Sequence, residues 1–323
     1  MLDEAQPVLT QRPQINQNYW AISLRRLLRK KVGLGCLSLI VLMYGSGILA
    51  PLVTFYGYND QNIDATAVKQ GPSFSHPFGT DRLGRDIMTR IIYGLRTTVI
   101  ITVTSLLGGS LLLGITLGLI AGYFGKAADA IIMRTGEVTS SFPDIFLALL
   151  IVATVKPRII LWVRDFEEAT GIDWIVRLGF VDYAVISFAL AAFSWFGMAR
   201  IVRGQVLQVR ENQYIEAARA VGGSTFRILR AHVLPNSIGP VIVLVSASMA
   251  AFAGAEIILS FIGIGTQPPT PSLGRMIFEN GSISVLRSDP HLLLFPVGTL
   301  GVLLFAFSLL GDAINDAFNP RAR

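Results

Sequence analysis

One cysteine and three histidines are all that this chain of 323 residues offers of the side chains most used for redox chemistry and metal binding. Cys36 lies in an apolar run and has no second thiol to pair with, so it reads as a small core residue. His76, His232 and His291 stand in separate segments, on different sides of the topology derived below, and cannot meet in one metal site. Charge is scarce as well: 15% of residues are Asp, Glu, Lys or Arg, where a soluble domain carries about 25%. No GxxxxGK[ST] phosphate loop occurs, since Gly125-Lys126 lacks both the upstream glycine and the following Ser or Thr. No convergent catalytic set replaces it. These gaps exclude a soluble enzyme, a disulfide scaffold and a nucleotide-hydrolysing chain.

What fills the chain instead is apolar. Hydrophobic residues make up 52% and the mean hydropathy is +0.57, the composition of a polytopic membrane protein. The net charge of +6 is carried largely beside the apolar segments, where cations meet anionic lipid and set orientation. Membrane lipid, not nucleic acid, is the expected partner of that charge. The tail before the first apolar run ends in Arg25, Arg26, Arg29, Lys30 and Lys31, and the run is too long for a cleaved signal.

Six spans of about 20 apolar residues are expected, at roughly 33–56, 98–123, 144–160, 181–202, 237–263 and 291–313. The third is the weakest, because its apolar run meets Lys156-Pro157-Arg158 early; Pro143 suits its first turn. Placing both termini in the cytoplasm puts 16 of the 27 Lys and Arg residues inside and 11 outside, in line with the positive-inside rule. The chain then divides into a cytoplasmic tail, 1–32, and an all-α transmembrane domain, 33–323. Within that domain fall an extracytoplasmic loop at 57–97, an extracytoplasmic insertion at 156–180 and a cytoplasmic loop at 203–236. The second span carries Ser110, Gly114, Gly118 and Gly122, a small-residue stripe suited to close helix packing. The fifth has Ser246, Ala250 and Gly254 on a similar stripe, plus Glu256. An acidic residue inside an apolar span faces protein or water, so Glu256 is either a hydrogen-bonding partner of a neighbouring helix or a lining residue of a pathway.

The cytoplasmic loop is the most informative stretch. Tyr214, Ala217, Ala218 and Val221 recur at helical spacing, so one face of a short helix is small and apolar and can lie in a partner's groove. Gly222-Gly223 permits a turn, Ser224 or Thr225 can cap a second helix, and Pro235 marks the boundary of the next span.

These same residues, Glu216-Ala217-Ala218, three more, Gly222, nine more, His232, Val233, then Leu234-Pro235, resemble the EAA loop of ABC-importer permeases. His232 stands where the pattern has Ile, followed by Leu-Pro-Asn through Asn236, as is common in the dipeptide/oligopeptide branch. Two further segments strengthen the likeness. His76-Pro77-Phe78-Gly79-Thr80-Asp81-Arg82-Leu83-Gly84-Arg85-Asp86, with Arg90, Gly94, Arg96 and Thr97, is similar to the segment before the second span in the second permease of such importers. Leu259-Ser260-Phe261-Ile262-Gly263-Ile264-Gly265 and Pro268-Pro269 to Gly274 resemble the same branch, with Leu273 where Trp is usual. The likeness runs from about residue 30 to the end. Residues 156–180 depart from it: they are longer than expected and hold Trp162, Trp174, Arg164, Asp165, Glu167 and Glu168, which suits a helix lying on the membrane surface.

The resemblance implies a type I importer permease in the plasma (inner) membrane, with no chemistry and no cofactor of its own. It implies a homologous second permease, two ATPase subunits holding ATP-Mg, and an extracytoplasmic binding protein. Coupling to the ATPases is implied for Glu216, Ala217, Ala218, Gly222, Ser224, Phe226, Leu234 and Pro235, and a pathway or packing role for Glu256, Ser246 and Gly254. The implied cargo is a di- or oligopeptide; nickel or another small solute is the alternative within the class. An ion-coupled secondary transporter would need charged or broken-helix sites in repeated halves, and only Glu256 qualifies.

Overall fold

The structure, a computed structural model, describes residues 19–64 and 66–318, with the backbone alone at 19–23, 218, 219, 232, 236 and 237. Expectations for residues 1–18, for the last five residues and for the side chains of Ala218, His232 and Asn236 lie outside the described residues.

The described chain is helical, and its sole β-bridge joins Thr80 to Asp86. In chain order the helices are α1 (Tyr19–Arg29), α2 (Lys31–Ile48), α3 (Ala50–Val53), α4 (Ile87–Ser105), α5 (Ile115–Phe124), α6 (Lys126–Ser140), α7 (Asp144–Thr170), α8 (Phe180–Arg210), α9 (Gln213–Ala220), α10 (Thr225–Ile228), α11 (Leu234–Phe261), α12 (Leu273–Asn280), α13 (Ile283–Ser288) and α14 (His291–Phe318). Two π-helical stretches join helices without a break: Leu106–Gly114 links α4 to α5, and Leu229–Val233 links α10 to α11. Among the described residues, six helices are long and apolar enough to cross a membrane.

The bundle is organised on α8. Its buried residues Ile186, Ala189 and Leu190 meet Ile101 of α4, Val152 of α7 and Leu259 of α11. Two turns further along and beyond, Met198, Val202 and Val206 meet α5 and the α9–α10 segment. A second core joins Ile40 and Tyr44 of α2, Ile91 and Leu95 of α4, and Leu303 and Phe307 of α14. The stripe of the second span does what small residues in lipid are for. A Cβ on Gly114 would lie 2.6 Å from Met198 Cβ, one on Gly118 2.6 Å from the Ala199 carbonyl, and one on Gly122 2.6 Å from Val206 Cβ. Only hydrogen at these positions lets the two backbones approach.

Several boundaries differ from the sequence-based expectation. The second membrane helix starts at Ile87, not near 98, because Asp86 caps it by accepting from the Thr89 N–H at 2.7 Å. Its first turns are polar and read as loop, but Arg90 is buried against Asp81. The third span does not end near 160. α7 continues through Pro157 to Thr170, so most of the 156–180 insertion extends a membrane helix instead of forming a separate surface helix. Lys156, which looked like the end of the span, is buried because it has an acidic partner. The first span stops at Ile48, where Leu49 and then Pro51 begin the short α3. Gly254 departs from its stripe: nothing lies within 4 Å of a Cβ built there, so it makes no close packing.

The long loops collect at one end of the bundle. Lys69 meets Asp289 at 3.0 Å, Arg82 donates to the Glu279 carbonyl at 3.0 Å, and Phe78 stacks on Phe295 at 4.2 Å. The opposite end carries the α9–α10 segment and the Lys30–Asp316 contact between α1–α2 and the last helix.

Candidate functional site: the α9–α10 elbow and the buried Glu256

The elbow is built from short-range rules. Glu216 lies in the first turn of α9, where a negative side chain suits the helix dipole. After α9, Gly222 takes φ +83°, with open space around it. The glycine is required by backbone conformation, not by crowding. Ser224 then caps α10, its hydroxyl accepting from the Arg227 N–H at 3.4 Å.

Its two sides differ sharply. Ile215, Ile228 and Val233 are fully buried and pack on Val202, Val206 and Val209 of α8 and Val241 of α11. On the outer side, Val221 is 89% exposed and Phe226 72% exposed, and Tyr214, Glu216 and Ala217 are exposed beside them. Of the sequence-derived positions, Glu216, Ala217, Gly222, Ser224 and Phe226 come together on this projection. Leu234, half-buried, and Pro235, exposed, form the first turn of α11 below it. Pro235 has no N–H for the Ala231 carbonyl, and the wider π-helical turn Leu229–Val233 carries the chain past that gap into α11.

Glu256 lies elsewhere, near the far end of α11, and is fully buried. Its carboxyl group accepts three hydroxyl hydrogen bonds: from Thr98 of α4 at 2.8 Å, from Ser260 one turn on at 2.9 Å, and from Ser272 ahead of α12 at 3.0 Å. Ser260 in turn accepts from the Thr266 N–H at 3.3 Å. One side chain thus ties α4, α11 and the 262–272 loop together. Ser246 is also buried, but its hydroxyl donates to the Val243 carbonyl of its own helix and faces Gly311 of α14.

Two clusters were not read from the sequence. Lys156 of α7 and Asp182 of α8 form a buried ion pair at 3.1 Å. Lys156 also donates to the Ile264 and Gly265 carbonyls, and Asp182 accepts from the Gln267 N–H at 2.7 Å. Arg203 grips Asp129 with two N–H donors, locking α8 to α6. The partner of each lies in another helix, and no spacing rule reaches that far. Only Ser260, four residues from Glu256, was legible.

At the loop end, burial opposes ionisation of Asp81. The Arg90 and Arg85 guanidiniums and the N–H groups of Leu83 and Arg85 outweigh it and hold the carboxyl below its usual range. Gly84, at φ +66°, lies so close to the Asn62 carbonyl that a Cβ could not fit. The segment around Asp81 and Asp86 is therefore a structural cap over α4. No group of three or more His, Cys, Asp or Glu suited to a metal occurs among the described residues.

An all-helical membrane bundle with a capped loop end and a projecting two-helix elbow defines a membrane transport component. Residues 114–323 match the family of binding-protein-dependent transport system inner membrane components, and the chain belongs to that family. Residues 18–72 match the N-terminal TM domain of oligopeptide transport permease C. The chain is 33% identical, over 99% of both chains, to a dipeptide transport system permease protein of Alkalihalophilus pseudofirmus. It is 35% identical to a glutathione transport system permease protein of Pectobacterium atrosepticum, over 95% of this chain and 91% of that one. With an oligopeptide transport system permease protein of Escherichia coli the identity is 32%, over 95% and 93%. It is a multi-pass protein of the plasma (inner) membrane.

Proposed function

We propose that this chain is one of two non-identical permease subunits of an ATP-binding-cassette importer for di- and oligopeptides. An extracytoplasmic binding protein delivers the peptide, and two ATPase subunits, which hold the ATP-Mg, drive the cycle. The observation that carries this reading is the elbow itself. A small apolar face with Phe226 and Val221 in solvent is costly unless a partner covers it, and it projects from the end of the bundle opposite the long loops. The names of the relatives support the peptide cargo.

The mechanism follows from how the elbow is attached. α10 runs through the π-helical turn directly into α11. A displacement applied at Phe226 therefore reaches α11, which carries Glu256, without crossing a flexible joint. Ile215 and Ile228 pass the same displacement to α8 through packed side chains. ATPase closure on the elbow would then tilt α11 against α8 and switch the bundle between outward and inward openings. Glu216, Ala217, Ala218, Gly222, Ser224, Phe226, Leu234 and Pro235 serve coupling. Glu256 serves as the structural tie.

The test is co-purification of the tagged chain from membranes, followed by reconstitution with the binding protein. An associated ATPase and ATP-dependent uptake of dipeptide are expected. A chain that purifies with no ATPase, or vesicles whose uptake follows an ion gradient and ignores ATP, would overturn the proposal.

A further inference from the structure

A cavity of about 430 Å³ lies between α4 and the start of α8, at the end of the bundle that carries the long loops. Its volume falls in the range of small-ligand sites. The wall is aromatic. Tyr58 and Tyr93 pack with ring centroids 4.8 Å apart, and Phe180 and Tyr183 meet edge-on at 6.5 Å. The floor is fixed: the Thr97 hydroxyl donates to the Pro271 carbonyl at 2.8 Å and lies 3.5 Å from the Tyr183 hydroxyl.

One charged side chain lines this cavity, Arg96. Its situation differs from that of three other cations of the membrane helices. Arg90 is paired with Asp81, Lys156 with Asp182 and Arg203 with Asp129. Among the described residues Arg96 makes no ion pair and donates no hydrogen bond. Asp182, next in the chain to Tyr183, is engaged by Lys156 and the Gln267 N–H. Arg96 lies nine residues into α4, about 14 Å along the helix. Its backbone is held from behind, where α2 approaches so closely that a Cβ on Gly47 would meet the Arg96 N at 2.7 Å. A half-buried guanidinium in an aromatic cavity, with no acid beside it, presents its planar donors to an incoming anion.

We propose that this cavity is a peptide subsite. Arg96 takes the C-terminal carboxylate of the cargo through paired N–H donors, and the tyrosine wall receives the side chain next to it. The inference rests on the peptide-import function proposed above. It adds a location and a polarity: the peptide is held by its carboxyl end on the loop side of the bundle. A phospholipid phosphate offers a matching anion, and the dependence of uptake on anionic lipid separates the two.

The experiment uses the complete importer in vesicles, with two versions of one peptide, a free C-terminal acid and the C-terminal amide. Uptake of each is divided by its occupancy of the binding protein, so that the binding protein's own preference cancels. In wild type the acid is expected to enter faster. In Arg96→Gln the acid-to-amide ratio should fall about tenfold, the loss of one charge-assisted contact, with complex yield unchanged. Arg96→Lys, which keeps the charge without the fork, should fall between. An unchanged ratio in Arg96→Gln, with wild-type uptake intact, overturns the subsite alone. An equal loss for acid and amide that tracks the anionic lipid content assigns Arg96 to lipid and overturns it too. So does a loss of complex yield, which makes Arg96 an assembly contact. Wild-type vesicles that import no peptide overturn the peptide function and the subsite together.

Discussion

The carboxyl group of Glu256 on α11 accepts a hydrogen bond from the hydroxyl of Thr98 on α4 at 2.8 Å, across the buried centre of the bundle. Gln can occupy the same place. Its amide oxygen keeps the bonds from Ser260 and Ser272, and its NH2 faces Thr98, whose hydroxyl already has the Gly94 carbonyl as a second acceptor at 3.2 Å. Glu256→Gln is therefore expected to assemble within about twofold of wild type and to transport peptide. Glu256→Leu takes the acceptor from three hydroxyls: Thr98 keeps the Gly94 carbonyl and Ser260 keeps Thr266, but Ser272 is stranded at about 1–3 kcal/mol, and the yield should fall. Complex yield and uptake, measured together, decide it: normal yield with lost uptake in Glu256→Gln would make Glu256 a pathway residue.

Lys156 and Asp182 should behave as a unit. Removing one partner leaves a buried charge, at a cost of about 3–5 kcal/mol, while replacing both by apolar residues costs much less. Asp182→Leu is expected to lower the thermal stability of the purified chain strongly, and Lys156→Met with Asp182→Leu to recover most of it. A double variant no more stable than the single ones would contradict this pairing.

The two small-residue stripes make opposite forecasts. Gly118→Val must push α5 from the Ala199 carbonyl, 2.6 Å from the new Cβ, and should cost about 1–3 kcal/mol or more as overpacking. Gly254→Ala enters open space and should leave melting temperature and yield unchanged. Equal effects at both positions would refute the packing assignment.

Much of this was legible in the sequence, and the limits have physical causes. The spans, the Gly114–Gly118–Gly122 stripe and the elbow follow from periodicity within one helix. The start of α4 was hidden because Arg90 looks solvated until Asp81 is placed beside it, and the length of α7 was hidden by Lys156 for the same reason. Gly254 looked equivalent to Gly118, because whether a helix face meets a neighbour is decided by tertiary packing. The π-helical turns have no periodic signature.

Asp81 makes the loop end pH-sensitive. Its folded pKa lies below the unfolded value of about 3.9, so its contribution is complete above that value and lost as pH falls through the folded one. Hydrogen exchange of the Leu83 and Arg85 amides, which bond its carboxylate at 2.8 and 3.0 Å, should stay slow from neutral pH down to about 4 and lose protection below. Asp81→Asn should speed it several-fold at neutral pH, about the effect of weakening one charge-assisted bond. Protection equal to wild type in Asp81→Asn would contradict the role given to the charge.

The most direct test of elbow coupling is peptide uptake and substrate-stimulated ATP hydrolysis in complexes carrying Gly222→Val. A β-branched residue at φ +83° is strained, and the strain falls on the turn between α9 and α10, outside the buried core. Normal membrane insertion is expected, with uptake reduced about tenfold or more, the effect of roughly 1–2 kcal/mol of backbone strain. Wild-type uptake and wild-type stimulated hydrolysis in the same vesicles would contradict the claim that this elbow transmits the work of ATP to the bundle.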